Sequence, residues 1–203
     1  MPHEPMDWNQ RYADKNTPWD SGLPSKELQR VFSEGWFEPS SMLEIGCGTG
    51  TNAIWLAQQG FQVTACDLAP LAIEEAKKKA EQAGVQVRFL VADVMQLPDL
   101  GGPFPFLFDR GVYHHLRTVD MDRFRAALTK YTRPGSYYLT LAGNANDPQP
   151  PENGPPRVSA QEIVAELCPL FDIVQMREFY FDGVVIGGQP VRPLGWSVLL
   201  RRR

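Results

Sequence analysis

Residues 43–50 read LEIGCGTG, three glycines at alternate positions between an apolar run and a helical one. Side chains are excluded from such positions where the chain must turn tightly or where a ligand approaches the main chain. A strand, a glycine turn and a helix in immediate succession restrict the chain to α/β architectures. MLEIG (42–46) predicts a buried strand, and TNAIWLAQQG (51–60) predicts a helix with apolar Ala53, Ile54, Leu56 and Ala57, stopped by Gly60.

The alternation continues. FQVTACDL (61–68) predicts a second strand, and Pro70 sits in the first turn of a charged amphipathic helix that ends at Gly84. VQVRFLVAD (85–93) is a third strand. FPFLFDRG (104–111) is a fourth, after the turn-rich LPDLGGP, and VDMDRFRAALTKYTRPG (119–135) is a helix and its stop. SYYLTLAG (136–143) is a fifth strand. The Pro-rich stretch 144–157 is long for a loop in a compact domain and reads as a functional rim. Ser159 and Glu162 form a capping box that opens a helix running to about Cys168. FDIVQMREFYF (171–181) and PLGWSVLL (193–200) read as strands of a closing hairpin, and no internal repeat is present. The expected organisation is one domain, 1–203: an N-terminal helical lid (1–35), a cofactor-binding core (40–142), and a loop, helix and hairpin (143–203).

Alternating strands and helices argue for a parallel sheet covered on both faces, with ligands at the carboxyl ends of the strands near a topological switch point. Four acids fall at those ends: Glu44 before the glycine turn, and Asp67, Asp93 and Asp109 at the ends of the next three strands. They discriminate between cofactors. A pyrophosphate wants a glycine at the sixth position of the turn, where Thr51 stands, and tolerates acids poorly. A cofactor with a sulfonium, an ammonium and a ribose diol suits an acidic rim.

LEIGCGTG, the acid ending VTACDLAP, and VADVMQLP together resemble the core of the class I S-adenosylmethionine-dependent methyltransferases, over roughly residues 40–142. The resemblance implies S-adenosylmethionine as cofactor and a Rossmann-like mixed sheet of seven strands, the last antiparallel, with helices on both faces. It also implies Glu44, Gly46 and Gly48 around the methionine part, Asp67 on the ribose hydroxyls, and Asp93 with Val94 at the adenine. Cys47, Thr49 and Leu68 fall in the same surroundings. WNQRYADKNTPWDSGLPSKEL resembles the N-terminal segment of small-molecule methyltransferases of the thiopurine, halide/thiol and tellurite-resistance type, and DRGVYHHL resembles a stretch of the thiopurine group. Trp8, Tyr12 and Trp19 accordingly serve as a lid over the cofactor, the alternative being cover for a hydrophobic surface.

Candidate catalytic residues are His114, His115, Asp109 and Arg110. Adjacent residues point about 100° apart on a helix and to opposite faces of a strand, so at most one histidine faces the cofactor. Asp109 and Arg110 either touch the acceptor or form an ion pair that shapes the loop. Asp67 and Asp93 have an alternative role as caps. No metal site is expected from the three histidines, and Cys47, Cys66 and Cys168 read as free thiols in a reducing cytoplasm. A net charge of -4 gives no footprint for nucleic acid, and no apolar run reaches membrane-spanning length. The acceptor is expected to be a small molecule. A nicotinamide-dependent oxidoreductase and a non-catalytic S-adenosylmethionine-binding protein are the alternatives.

Overall fold

The computed structural model describes residues 6–150 and 154–203, so the start of the N-terminal segment and residues 151–153 of the Pro-rich loop lie outside the described residues. The strands are β1 (Ser41–Ile45), β2 (Gln62–Asp67), β3 (Arg88–Val91), β4 (Phe106–Arg110), β5 (Tyr137–Gly143), β6 (Phe171–Tyr180), β7 (Val184–Ile186), β8 (Gln189–Val191) and β9 (Leu194–Arg202). The helices are α1 (Trp8–Ala13), α2 (Lys26–Ser33), α3 (Thr51–Gln58), α4 (Pro70–Gln82), α5 (Tyr113–Tyr131) and α6 (Ala160–Leu167).

Seven strands form one sheet in the order β3-β2-β1-β4-β5-β9-β6. The first five are parallel, and β9 runs antiparallel between β5 and β6. Side-chain alternation sorts each strand into two cores. Leu43, Ile45 and Leu107 join one cluster with Tyr113, Phe124 and Tyr138, while Met42, Phe106 and Phe108 join the other with Leu56, Ile73 and Leu199. A sheet buried on both faces explains why β1 and β4 read as continuous apolar runs. Because β1 pairs with β2 on one side and β4 on the other, its carboxyl end is the switch point where successive crossovers diverge and a crevice opens.

Three sequence expectations change. The strand read over 85–93 is regular only at Arg88–Val91. The helix read from 119 begins at Tyr113 and breaks at Asp120, where the backbone is extended (φ -163°, ψ 98°), so both histidines stand on its first turn. The closing pair β6 and β9 does not meet through a simple turn: the small hairpin β7–β8 is inserted between them, turning at Gly187 and Gly188.

The glycine turn is a steric necessity. Gly46, Gly48 and Gly50 have φ of 64°, 54° and 78°, in the left-handed region that favours glycine. A Cβ on Gly46 would lie 2.3 Å from Val112 Cγ2, so the turn after β1 packs directly on the turn after β4. Gly46→Ala is expected to cost roughly 2–4 kcal/mol in chemical denaturation, from left-handed strain plus overpacking. Adding Val112→Ala should return the overpacking part. Unchanged stability of the single variant would contradict this close approach.

Candidate active site

The turn is tied to the end of β2. Gly48 N–H donates to Asp67 Oδ2 at 2.8 Å, Ala69 N–H donates to Asp67 Oδ1 at 2.9 Å, and Cys47 N–H donates to the Cys66 carbonyl at 3.0 Å. Each Asp67 oxygen retains a free lone pair, which suits the carboxylate to a diol. Burial raises the Asp67 pKa, and the backbone N–H groups of Ala69, Gly48 and Leu68 offset part of that rise. Leu68, beside it, is 45% exposed, an apolar shelf at the rim. Ala92 N–H donates to the Asp67 carbonyl at 2.9 Å, which brings Asp93 and the buried Val94 alongside. Asp93 Oδ1 accepts Met95 N–H at 2.8 Å, so this acid does cap its own turn.

Glu44 is 1% exposed, and its Oε2 has no hydrogen-bond partner among the described residues. Burial, reinforced by repulsion from Asp67 and Asp109, pushes its pKa up to about 8, with the Asn52 side chain and Ala53 N–H offsetting only part. A buried carboxyl oxygen left unsatisfied costs on the order of 1–3 kcal/mol, and an incoming ammonium removes that cost.

Asp109 does not belong to the rim. It is fully buried, accepting N–H groups of Val112 and Tyr113 at 3.0 and 3.1 Å and the Tyr138 hydroxyl at 2.6 Å. It is the cap of α5, and burial raises its pKa. Nor does it pair with Arg110, which extends from the other face of β4. The Arg110 guanidinium donates to the carbonyls of Trp19 at 3.2 Å and Asp182 at 3.0 Å, and lies over the Phe181 ring at 5.2 Å. Burial lowers its pKa, and the charges of Asp182, Asp20 and Glu44 offset only part of that shift.

The histidines separate as the helical angle requires. His114 is 4% exposed, and its Nδ1 accepts Gly143 N–H at 2.7 Å. That bond occupies the only basic nitrogen of the neutral ring, and burial, with nearby positive charge, lowers its pKa to about 3. His115 turns outward against Trp8, ring centroids 5.0 Å apart, and burial lowers it to about 4, with Arg11 adding to the shift. Both rings are neutral at pH 7.

Of the N-terminal aromatics, Tyr12 lies against the turn, and Trp8 and Trp19 group beside it. Trp8 and Tyr12 each meet Trp19 edge-on, at 5.8 and 6.4 Å, and Arg11 stacks on Trp19 at 4.5 Å. A Cβ on Gly48 would be 2.8 Å from the Tyr12 hydroxyl. Burial, and repulsion from Asp67, raise the Tyr12 pKa and keep it a neutral donor. Asn9 Oδ1 accepts Leu71 N–H at 3.0 Å, docking α1 onto the start of α4.

The structure therefore gathers Glu44, Gly46, Cys47, Gly48, Thr49, Asp67 and Leu68 at one turn, with Tyr12 and Trp19 above and Asp93 and Val94 alongside. Asp109 and His114 serve inward. Sequence reasoning passed over Asp20, Lys79 and the β7–β8 hairpin. Asp20 adjoins Trp19 and was within reach, and the Gly-Gly pair flanked by β-type residues is itself a hairpin signal. Among the described residues no group of three metal-ligating side chains converges, and no helix is long and apolar enough to cross a membrane.

Comparison with known proteins agrees with this chemistry. Residues 42–135 match the family described as "Methyltransferase domain". A 2-heptyl-1-hydroxyquinolin-4(1H)-one methyltransferase of Mycobacteroides abscessus is 29% identical over 176 residues, 84% of this chain and 77% of that protein. Two further curated relatives align over 51% and 57% of this chain, which spans only 34% and 40% of their length. A solved structure described as "Conversion of a Disulfide Bond into a Thioacetal Group during Echinomycin Biosynthesis" superposes with TM-score 0.77 at 28% identity, covering 91% of this chain and 84% of that one. The Burkholderia thailandensis 1,6-didemethyltoxoflavin-N1-methyltransferase, with its acceptor and S-adenosylhomocysteine bound, shares the fold at TM-score 0.67 and 18% identity, covering 98% and 92%.

The Glu44 carboxyl gives a pH signature. Folded, it holds its proton up to about pH 8; unfolded, it loses it near 4.5. Between those values the unfolded chain binds fewer protons, so this group makes stability fall as pH rises. Both histidines, His114 buried and His115 half-buried, act oppositely, but only below about pH 6.5, where an unfolded histidine protonates. The ligand-free protein is thus expected to lose thermal stability between about pH 6.5 and 8, and Glu44→Gln should flatten that slope. An equally steep slope in the variant would contradict the burial of a protonated Glu44.

Proposed function

We propose that this chain, a class I S-adenosylmethionine-dependent methyltransferase, methylates a small, planar heteroaromatic acceptor carrying an acidic hydroxyl or thiol. The unpartnered Glu44 oxygen beneath a turn that Asp67 also grips carries the cofactor half of this reading. Glu44 would hold the ammonium end, Asp67 the ribose hydroxyls, and Leu68 with Val94 the adenine faces. Gly46, Cys47, Gly48 and Thr49 would let the main chain approach the methionine part. Bound there, the cofactor supplies an electrophilic methyl group on its sulfonium.

The chain's own contribution is alignment, exclusion of water and disposal of one proton. Trp8, Tyr12 and Trp19 cover the turn and keep water out. Arg110, a half-buried cation whose guanidinium donates to the carbonyls of Trp19 and Asp182, favours an acceptor in its anionic form. His115, neutral and turned toward Trp8, takes the proton from an acceptor that arrives un-ionised, and its lowered pKa restricts it to acidic ones. His114, with Nδ1 engaged, holds the β5 end against α5. The acceptor class rests on this weak base, on the aromatic corner, and on the hydroxyquinolone acceptor in the name of the Mycobacteroides relative. The chain's net charge of -4 favours a small molecule over nucleic acid, and three free cysteines fit a reducing cytoplasm.

Calorimetry should find that Asp67→Ala weakens S-adenosylhomocysteine binding roughly tenfold to a hundredfold, the worth of about 1.5–3 kcal/mol of charge-assisted hydrogen bonding. Unchanged affinity would remove Asp67 from the ribose.

A methylation assay across 1-hydroxyquinolin-4-one, aryl thiols, aliphatic alcohols and bulk tRNA is expected to show turnover with the first two. His115→Ala should lower kcat/KM about 10²-fold for acceptors un-ionised at the assay pH, and much less for those already ionised. Methylation of tRNA alone would contradict the acceptor class, and equal loss for both acceptor types would contradict the proton-accepting role.

A further inference from the structure

Residues 16–22 form a strap across the carboxyl ends of β1 and β4, gripped on two sides. On the hairpin side the grips reach the main chain: Val185 N–H donates to the Pro18 carbonyl at 3.0 Å, and Arg110 donates to the Trp19 carbonyl at 3.2 Å. Gly183 also packs on the strap, since a Cβ there would lie 2.3 Å from Ser21 Cβ. On the glycine-turn side the grip is a chain of three side chains. The Thr49 hydroxyl donates to Asp20 Oδ2 at 2.7 Å and accepts from Lys79 Nζ at 2.7 Å.

Three elements meet in that chain. Thr49 is 7% exposed and stands between Gly48 and Gly50, Lys79 lies in the last turn of α4, and Asp20 belongs to the strap. A hydroxyl that gives its proton to a carboxylate and receives one from an ammonium makes two charge-assisted bonds and links opposite charges. Such an arrangement fixes the rotor of Thr49. Asp20 directly follows Trp19, whose ring meets Tyr12, and Tyr12 lies over Gly48. A ligand seated on the glycine turn is therefore enclosed by residues whose position depends on Asp20.

We propose that Asp20, Thr49 and Lys79 form a latch that fastens the strap over the glycine turn and sets how long the cofactor stays bound. The proposal rests on the reading of that turn as the S-adenosylmethionine site. Thr49 and Lys79 act as positioning residues: they hold Asp20, which carries Trp19. Lid opening and product release limit turnover in many enzymes, so such a latch would govern kcat as well as residence time.

Stopped-flow dissociation of S-adenosylhomocysteine and ligand-free amide hydrogen exchange at residues 16–22 test this together. Lys79→Met lies outside the glycine turn and is the cleanest variant. It and Asp20→Asn are each expected to speed release roughly tenfold, and the double variant should be no faster than either alone, because both act through one chain of bonds. Thr49→Val should match them, and Thr49→Ser, which keeps the hydroxyl, should restore slow release. Without ligand, the same variants should lose protection at residues 16–22 while β1 and β4 keep theirs. Wild-type release rates in Lys79→Met and Asp20→Asn would overturn the latch, as would additive effects or loss of protection spreading into β1 and β4. Failure of the wild-type protein to bind S-adenosylhomocysteine would instead overturn the reading of the turn, and the ligand-free exchange would still decide whether the strap is fastened.

Discussion

A carboxyl group near the carboxyl end of β1, buried with one oxygen unsatisfied, is the interaction around which this site is arranged. With Oε2 unpartnered, Glu44 is favoured there in its protonated form, and the pKa of about 8 expresses the cost of burying its charge. Burial follows from topology: β1 is flanked by β2 and β4 and covered on both faces, and it ends in a turn too tight to lift its last residues into water. The turn is tight because Gly46 meets Val112, which ties the first crossover to the start of α5. Sheet order, glycine conformation and carboxyl strain are thus one construction, relieved by a cationic ligand and aggravated by a phosphate.

The second layer of the site is borrowed from distant parts of the chain. A half-buried Arg110 that donates to the carbonyls of Trp19 and Asp182 joins the N-terminal strap to the hairpin region. Asp109, its neighbour on β4, faces the opposite way and is spent on capping α5 and accepting from Tyr138. One pair of adjacent residues therefore serves both the lid and the core. The same division recurs one turn of chain later, where His114 holds β5 and His115 meets the lid.

How much of this was legible in the sequence depends on the range of the interaction. The glycine turn, the acid at the end of the second strand and the succession of the first five strands along the chain follow from spacing alone, because backbone sterics and strand period act locally. The capping box at Ser159 and Glu162 is present in full for the same reason. Asp109 was misplaced on the rim because strand alternation says that two neighbours diverge without saying which faces the core; Tyr138, 29 residues away, decides that. The start of α5 was missed since its cap is supplied from four residues back by Asp109 and no Ser, Thr or Asn marks it. Arg110's partners lie 91 and 72 residues away and are main-chain atoms, which leave no trace in residue type. The β7–β8 hairpin is a different case, since its glycine pair was a readable signal.

A crystal structure of the protein with S-adenosylhomocysteine tests the central claim most directly, that an acid-lined glycine turn selects this cofactor. The account predicts the ammonium within hydrogen-bond reach of Glu44 or of a single water on it. It also predicts both ribose hydroxyls on Asp67, the adenine against Leu68 and Val94, and Tyr12 displaced from above Gly48 or bonded to the ligand. A complex in which the ligand leaves Asp67 free and Glu44 Oε2 still unpartnered would contradict it.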